Sequence, residues 1–270
     1  MSFMEKLKSR WQSSNSLLCV GLDPDMERIP DHIRGMHNPV FEFNRKVIDS
    51  THDLVCAYKP QIAYYAAVGA EHDLELTIEH IRSKYPDIPV ILDAKRGDIG
   101  ATAKMYAMEA FDRYRADAVT VNPYMGGDTL TPFLERKERG VIILCRTSNP
   151  GAVDLQDIES GSEKIYRIIA RMAADKWNYN NNIMLVVGAT YPAELAEIRE
   201  IAGDIPLLVP GIGAQGGDVE KAVKNSITRD KTGIIINSSR GIIFAGNSRN
   251  FTDGVRKAAI TLRDEINLYR

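Results

Sequence analysis

The sequence is poor in most features that would set a chain apart from an ordinary globular protein. No apolar run approaches the ~20 residues that a helical membrane span requires, which excludes that class. Residues 1–12 are charged and amphipathic and lack the apolar core of a signal peptide, so a cytoplasmic chain is expected, with no membrane partner. Cysteine is scarce. Cys19, Cys56 and Cys145 are odd in number, far apart and each inside an apolar stretch, and none belongs to a C-x-x-C pair. That pattern fits buried strand thiols and excludes a disulfide framework. The five histidines (His32, His37, His52, His72 and His80) show no spacing that recurs with cysteine or carboxylate, so no metal is expected. Neither sign of charge dominates: 34 Lys and Arg stand against 36 Asp and Glu, for a net charge of −2. A nucleic-acid partner would call for a broad basic field, so none is expected.

What the chain does contain is a regular alternation. Its 270 residues could hold two domains at about 150 residues each, but α/β barrels run to roughly 250 residues as one unit. Apolar runs of strand length occur at 17–22, 54–58, 89–92, 118–121, 141–145, 183–187, 206–209 and 233–236. They do not alternate with polar residues, as is usual for parallel strands covered on both faces. Amphipathic helical patterns lie between them. Ile165, Ile168, Ile169 and Met172 follow one face, as do Leu74, Ile78 and Ile81, and 103–114, 193–202 and 252–269 read the same way. Eight strands with intervening helices predict an α/β fold, a (β/α)8 TIM barrel, as a single domain over 1–270. A doubly wound open sheet is the alternative. The count of eight and the lack of G-x-G-x-x-G after the first strand favour the barrel. Phe3, Leu7 and Trp11, one turn apart, predict an extra N-terminal helix under its lower end. The stretches 23–39 and 148–162 are predicted loops on the catalytic face. The asparagines at 178 and 180–182 are predicted to form a solvated connection on the opposite face, and His80 to face solvent or a helix seam.

Charged residues fall at the strand ends. Asp23 ends the first strand, Lys59 the second, and Asp93 and Lys95 the third, with Asp98 in the next turn. Residues i and i+2 of a strand share a face, so Asp93 and Lys95 are expected to project together into the barrel mouth. Stabilising ion pairs would explain each charge alone, but pairing often only offsets the desolvation of buried ions. A concentration of them at the catalytic face reads as a site. After the seventh and eighth strands come Pro210-Gly211-Ile212-Gly213-Ala214-Gln215-Gly216-Gly217 and Asn237-Ser238-Ser239-Arg240-Gly241. These are the two positions where barrels often bind phosphate, and Arg240 can supply a bidentate contact. Arg146-Thr147-Ser148-Asn149-Pro150-Gly151 after the fifth strand is either a polar reader of a ring edge or a structured turn.

The segment Asp93-Ala94-Lys95-Arg96-Gly97-Asp98-Ile99-Gly100-Ala101-Thr102 resembles the D-x-K-x-x-D-[IV]-G-x-T signature of the orotidine 5′-phosphate decarboxylase family. The resemblance extends over nearly the whole chain. It takes in Gly21-Leu22-Asp23, Tyr58-Lys59-Pro60, Thr147-Ser148-Asn149, Pro210-Gly211-Ile212-Gly213 with Gln215, and Ser239-Arg240-Gly241. Length and the segment 121–128 resemble the longer bacterial, type 2-like subgroup. The resemblance implies decarboxylation of orotidine 5′-monophosphate to uridine 5′-monophosphate in de novo pyrimidine synthesis, with no metal and no organic cofactor. It implies a homodimer in which Asp98 and Thr102 reach the partner's site. Lys95 would be the cation near C6 and the proton donor, and Asp93 would lie beside the substrate carboxylate. Lys59 and Asp98 would hold that pair. Asp23 and Lys59 would contact ribose, Ser148 the pyrimidine edge, Gln215 ring and phosphate, and Gly213 and Arg240 the phosphate.

Related enzymes share the D-x-K-x-x-D core. A Mg2+-dependent sugar-phosphate decarboxylase or aldolase would use Asp23, Asp93, Lys95 and Asp98. A Schiff-base aldolase would use Lys59 or Lys95, and a catalytically dead phosphate-ligand sensor is compatible with the same fold.

Overall fold

The computed structural model describes residues 1–212, 218–246 and 249–270. Eight strands make one sheet: β1 Leu18–Leu22, β2 Ala57–Pro60, β3 Ile91–Arg96, β4 Ala118–Val121, β5 Gly140–Arg146, β6 Ile183–Val187, β7 Leu207–Pro210 and β8 Ile234–Ser238. All pairings in this sheet are parallel, in the order β2-β1-β8-β7-β6-β5-β4-β3. The two ends of that order meet. Tyr58 N donates to Pro89 O at 3.1 Å, and bridges join Tyr58 to Val90 and Gln61 to Asp93. The sheet is therefore a nearly closed TIM barrel with helices outside it. β1, β2, β4 and β6 are buried along their whole length, which is why their sequences are apolar without alternation.

The outer helices follow from amphipathic spacing. Glu71–Lys84 buries Leu74, Ile78 and Ile81, with acids in its first turn and bases in its last, as the helix dipole favours. The N-terminal helix Phe3–Ser13 begins with a capping box, Ser2 and Glu5 bonding each other's backbone amides. It lies under the N-terminal ends of the strands. Phe3 packs so closely on Gly140 that any side chain there would collide with its ring. Arg10 Nε donates to Val55 O at 2.9 Å, and Lys6 pairs with Asp117 at 3.1 Å.

Several expectations change in detail. β2 starts and ends later than its apolar run, and β3 runs on through Asp93, Lys95 and Arg96. Hydrophobicity marks where a strand enters the core, not where it carries charge out of it. The stretch 148–162 holds two short helical turns, Pro150–Ala152 and Val153–Gln156, and the strand Glu159–Ser160, which pairs with Glu163–Lys164 just beyond it. The asparagine run is not simply solvated. Asn182 is buried, and its Nδ2 donates to Leu134 O and Arg139 O, both at 3.1 Å. In the helix Ile165–Met172 the fully buried residues are Tyr166 and Ala170, while Ile165, Ile169 and Met172 line a groove. His80 does lie in a helix seam, with Nε2 at 2.7 Å from Asp49 Oδ1 and its ring edge-on to Phe41 and Tyr85. The three cysteines are buried and free, and burial pushes the Cys56 thiol up to about 12.

Candidate active site

The strand ends bring three of the charged residues into one cluster. Lys59 Nζ, from β2, donates to Asp93 Oδ2 at 2.9 Å. Lys95 Nζ donates to Asp93 Oδ1 at 2.7 Å. Lys59 and Asp93 are buried, whereas the Lys95 side chain is 47% exposed at the mouth. Burial alone would push the Asp93 carboxyl up. The ammonium groups of Lys59 and Lys95 outweigh it and hold that carboxyl well below the usual carboxylate range. Burial would likewise lower the Lys59 ammonium, but Asp93 and then Asp23 outweigh it and raise it above an ordinary lysine. The cluster is thus one carboxylate held ionised between two cations.

The i, i+2 spacing names the right pair for an incomplete reason. β3 pairs regularly with β4 up to Leu92–Val119 and resumes at Arg96–Val121. Three residues of β3 therefore lie opposite Thr120 alone. This bulge puts Lys95 in the left-handed region, at φ 47°, an uncommon conformation for a residue with a side chain. Bulges re-aim side chains in this way beside active sites. Thr120 Oγ1 accepts from Ala94 N and Lys95 N, both at 2.9 Å, and donates to Asp93 Oδ1 at 2.8 Å.

A cavity of about 280 Å³ opens over Lys59 and Asp93 and reaches Asp23, Asn237 and Arg240. Asp23 Oδ1 and Asn237 Oδ1 are buried acceptors with no hydrogen-bond partner among the described residues, so both can take a donor from a ligand. Gly21 lets β1 pass close to β8 there, because a Cβ would collide with Ser239 Oγ. Arg240 is exposed on the cavity's rim. Gly213 and Gln215 lie outside the described residues. Ser148 sits beyond the end of β5, so close to Gly188 that a Cβ on that glycine would come within 2.8 Å of the serine Cβ. Asp98 does not join the Lys59–Asp93–Lys95 cluster. Its Oδ1 accepts from Ile99 N at 2.8 Å, and Thr102 is exposed on the following helix, Gly100–Met108.

Residues 16–252 match the orotidine 5′-phosphate decarboxylase / HUMPS family. The chain belongs to that family. It is 57% identical over 270 residues to an orotidine 5′-phosphate decarboxylase from Dechloromonas aromatica (strain RCB), with all of both chains covered. It is 58% identical over 272 residues to one from Cellvibrio japonicus (strain Ueda107), again with full coverage of both. Among solved structures it is similar to the OMP decarboxylase of Leishmania donovani, at a TM-score of 0.87 and 39% identity, covering 100% of this chain and 98% of the other.

Within this orotidine 5′-phosphate decarboxylase family member, sequence reasoning passed over Thr120 and placed Arg146 only as the start of a polar segment. Thr120 reads as an ordinary β-former inside an apolar strand, and only the register of two strands reveals its contacts. Arg146 ends β5, and its side chain is 1% exposed. A second bulge, at Cys145 between the pairs Leu144–Val186 and Arg146–Val187, turns it inward. Its guanidinium lies over the Tyr191 ring at 4.4 Å and faces Asp157 and Glu194 at 3.3 and 3.5 Å. Gln156, 3.4 Å from Arg146 Nη1, also accepts from Thr147 N at 2.9 Å. Arg146 thereby ties the 150–157 segment to the turn that carries Ser148.

Proposed function

We propose that the chain is a cytoplasmic carboxy-lyase of pyrimidine synthesis. It converts orotidine 5′-monophosphate to uridine 5′-monophosphate and CO2 without metal or organic cofactor. The observation that carries this reading is the single carboxylate, Asp93, clamped between Lys59 and Lys95 at the floor of a cavity rimmed by Arg240.

In this reading the C6–carboxylate bond breaks, CO2 departs neutral, and the electron pair stays on C6. Lys95 donates its ammonium proton to C6 and regains one from solvent. Asp93 faces the substrate carboxylate, and the repulsion between them vanishes as CO2 leaves. Fixed charges of this kind act on the transition state without reorganising. Asp23 and Lys59 take ribose hydroxyls, which suits an Asp23 Oδ1 with no partner among the described residues. Ser148 reads the pyrimidine edge, Gln215 spans ring and phosphate, and Gly213 and Arg240 hold the phosphate. Residues 1–270 work as one barrel. Two copies form a homodimer in which Asp98 and Thr102 enter the partner's site. Supporting that pairing, Ile99, Met105 and Met108 stand exposed at the start of and along the helix Gly100–Met108, and Tyr124 in the loop after β4, and exposed apolar side chains, when they cluster, mark interaction surfaces.

The test is ultraviolet absorbance of orotidine 5′-monophosphate mixed with the protein in EDTA. The spectrum is expected to convert to that of uridine 5′-monophosphate. An unchanged spectrum with well-folded protein overturns the reading, and activity that needs Mg2+ restored would favour the Mg2+-dependent sugar-phosphate enzymes instead. Arg240→Ala is expected to lower kcat/KM by about 10²- to 10³-fold, the loss typical of a charged hydrogen-bonded contact, although Arg240 touches no reacting atom. Near-normal kcat/KM would remove Arg240 from phosphate binding.

A further inference from the structure

We infer that Thr120 is a positioning residue for the chemical step: its hydroxyl holds the β3 bulge in the one shape that aims Lys95 and Asp93 at each other. The inference rests on the decarboxylase reading above. A hydroxyl has one hydrogen to give and two lone pairs to receive. At Thr120 all three are committed. The amides of Ala94 and Lys95 occupy both lone pairs, at 2.9 Å each, so the hydroxyl hydrogen is left for Asp93 Oδ1, at 2.8 Å. The direction of every bond is fixed by chemistry, with no choice of rotor.

The four groups form a closed circuit. Lys95 N donates to Thr120, Thr120 donates to Asp93 Oδ1, and Lys95 Nζ returns to the same oxygen at 2.7 Å. One buried side chain on β4 thus grips Lys95 at its backbone and, through Asp93, at its ammonium. The grip acts where it is needed. Lys95 stands at φ 47° because three residues of β3 face the single residue Thr120, and a bulge lacks the ladder bonds that would otherwise hold its amides. Valine has the shape of threonine and none of these bonds. It would free two amides and release Asp93 Oδ1, while leaving Lys59 on Oδ2. The ribose and phosphate contacts lie on other strands, so ligand affinity and chemistry should separate.

The experiment compares Thr120→Val and Thr120→Ser with the unmodified chain, using Thr120→Ala if the valine variant does not fold. For Thr120→Val, kcat on orotidine 5′-monophosphate is expected to fall about 10- to 100-fold, the scale of a lost hydrogen bond to a charged group. Affinity for uridine 5′-monophosphate, which lacks the C6 carboxylate, is expected to stay within about threefold. Thr120→Ser restores kcat to within about fivefold, because it returns the hydroxyl. Unchanged kcat in Thr120→Val overturns the inference while leaving the decarboxylase reading intact. So does a parallel loss of kcat and nucleotide affinity that serine does not rescue, since that marks a merely structural role. A crystal structure of Thr120→Val reads the positioning without any assay: Lys95 is expected to leave Asp93. A retained contact near 2.7 Å overturns the inference whatever the substrate proves to be.

Discussion

Lys95→Ala is expected to abolish turnover, lowering kcat by about 10⁴-fold or more, with the fold intact. General acid catalysis alone is commonly worth about 10²- to 10⁴-fold, and the loss of a fixed cation beside a developing carbanion adds to it. The fold survives for local reasons. The Lys95 side chain is half exposed, so its removal leaves no core cavity, and Asp93 keeps Lys59 at 2.9 Å and Thr120 at 2.8 Å. Alanine also bears the left-handed backbone no worse than lysine does. Lys95→Arg separates charge from proton transfer, because guanidinium does not deprotonate in proteins. It too is expected to be inactive. Initial rates and far-ultraviolet circular dichroism check both variants, and substantial turnover in either, correctly folded, would take the proton-donor role away from Lys95.

Asp93→Asn is expected to carry the second-largest effect, a fall in kcat of about 10³-fold. The size comes from electrostatics. Like charges about 4 Å apart repel by roughly 4 kcal/mol at an effective dielectric near 20, and about 1.4 kcal/mol is a factor of ten in rate. Asparagine keeps the shape and its oxygen still accepts from Thr120 and Lys95, but it removes the negative charge that Lys59 and Lys95 share and turns an amide donor toward Lys59. The packing volume is unchanged, so the effect is electrostatic. Steady-state rates above saturation measure the effect, and a kcat within tenfold of the unmodified chain would deny Asp93 its electrostatic role.

The barrel and the charged cluster at its mouth were legible in the sequence because they rest on local signals. Val- and Ile-rich runs without alternation announce strands covered on both faces, and Phe3, Leu7 and Trp11 announce the helix below them. Asp23, Lys59, Asp93 and Lys95 stand out because charge at the end of an apolar run has few uses. The rest was hidden because it depends on pairing across distance. Nothing in Val119-Thr120-Val121 marks Thr120 as the partner of two amides, since that follows from a register shift between strands more than twenty residues apart. Arg146 reads as the start of a polar turn until the register of two strands and its contact with the Tyr191 ring show it buried. Asn182 looks like part of a polar loop until its amide is found holding two carbonyls. Asp98 was expected among the charges of the barrel mouth, yet its Oδ1 accepts from Ile99 N.

In the proposed reaction, Asp93 strains the bound substrate and the strain is relieved in the transition state. The most direct measurement is the ratio of dissociation constants for orotidine 5′-monophosphate and uridine 5′-monophosphate, in the unmodified chain and in Asp93→Asn. The two nucleotides differ only in the carboxylate at C6, so the ratio reports what Asp93 does to that group. The expected result is a ratio that shifts toward tighter orotidine 5′-monophosphate binding in Asp93→Asn while kcat falls, the pattern of a removed ground-state repulsion. A ratio that is unchanged, or that shifts toward weaker binding, would contradict it.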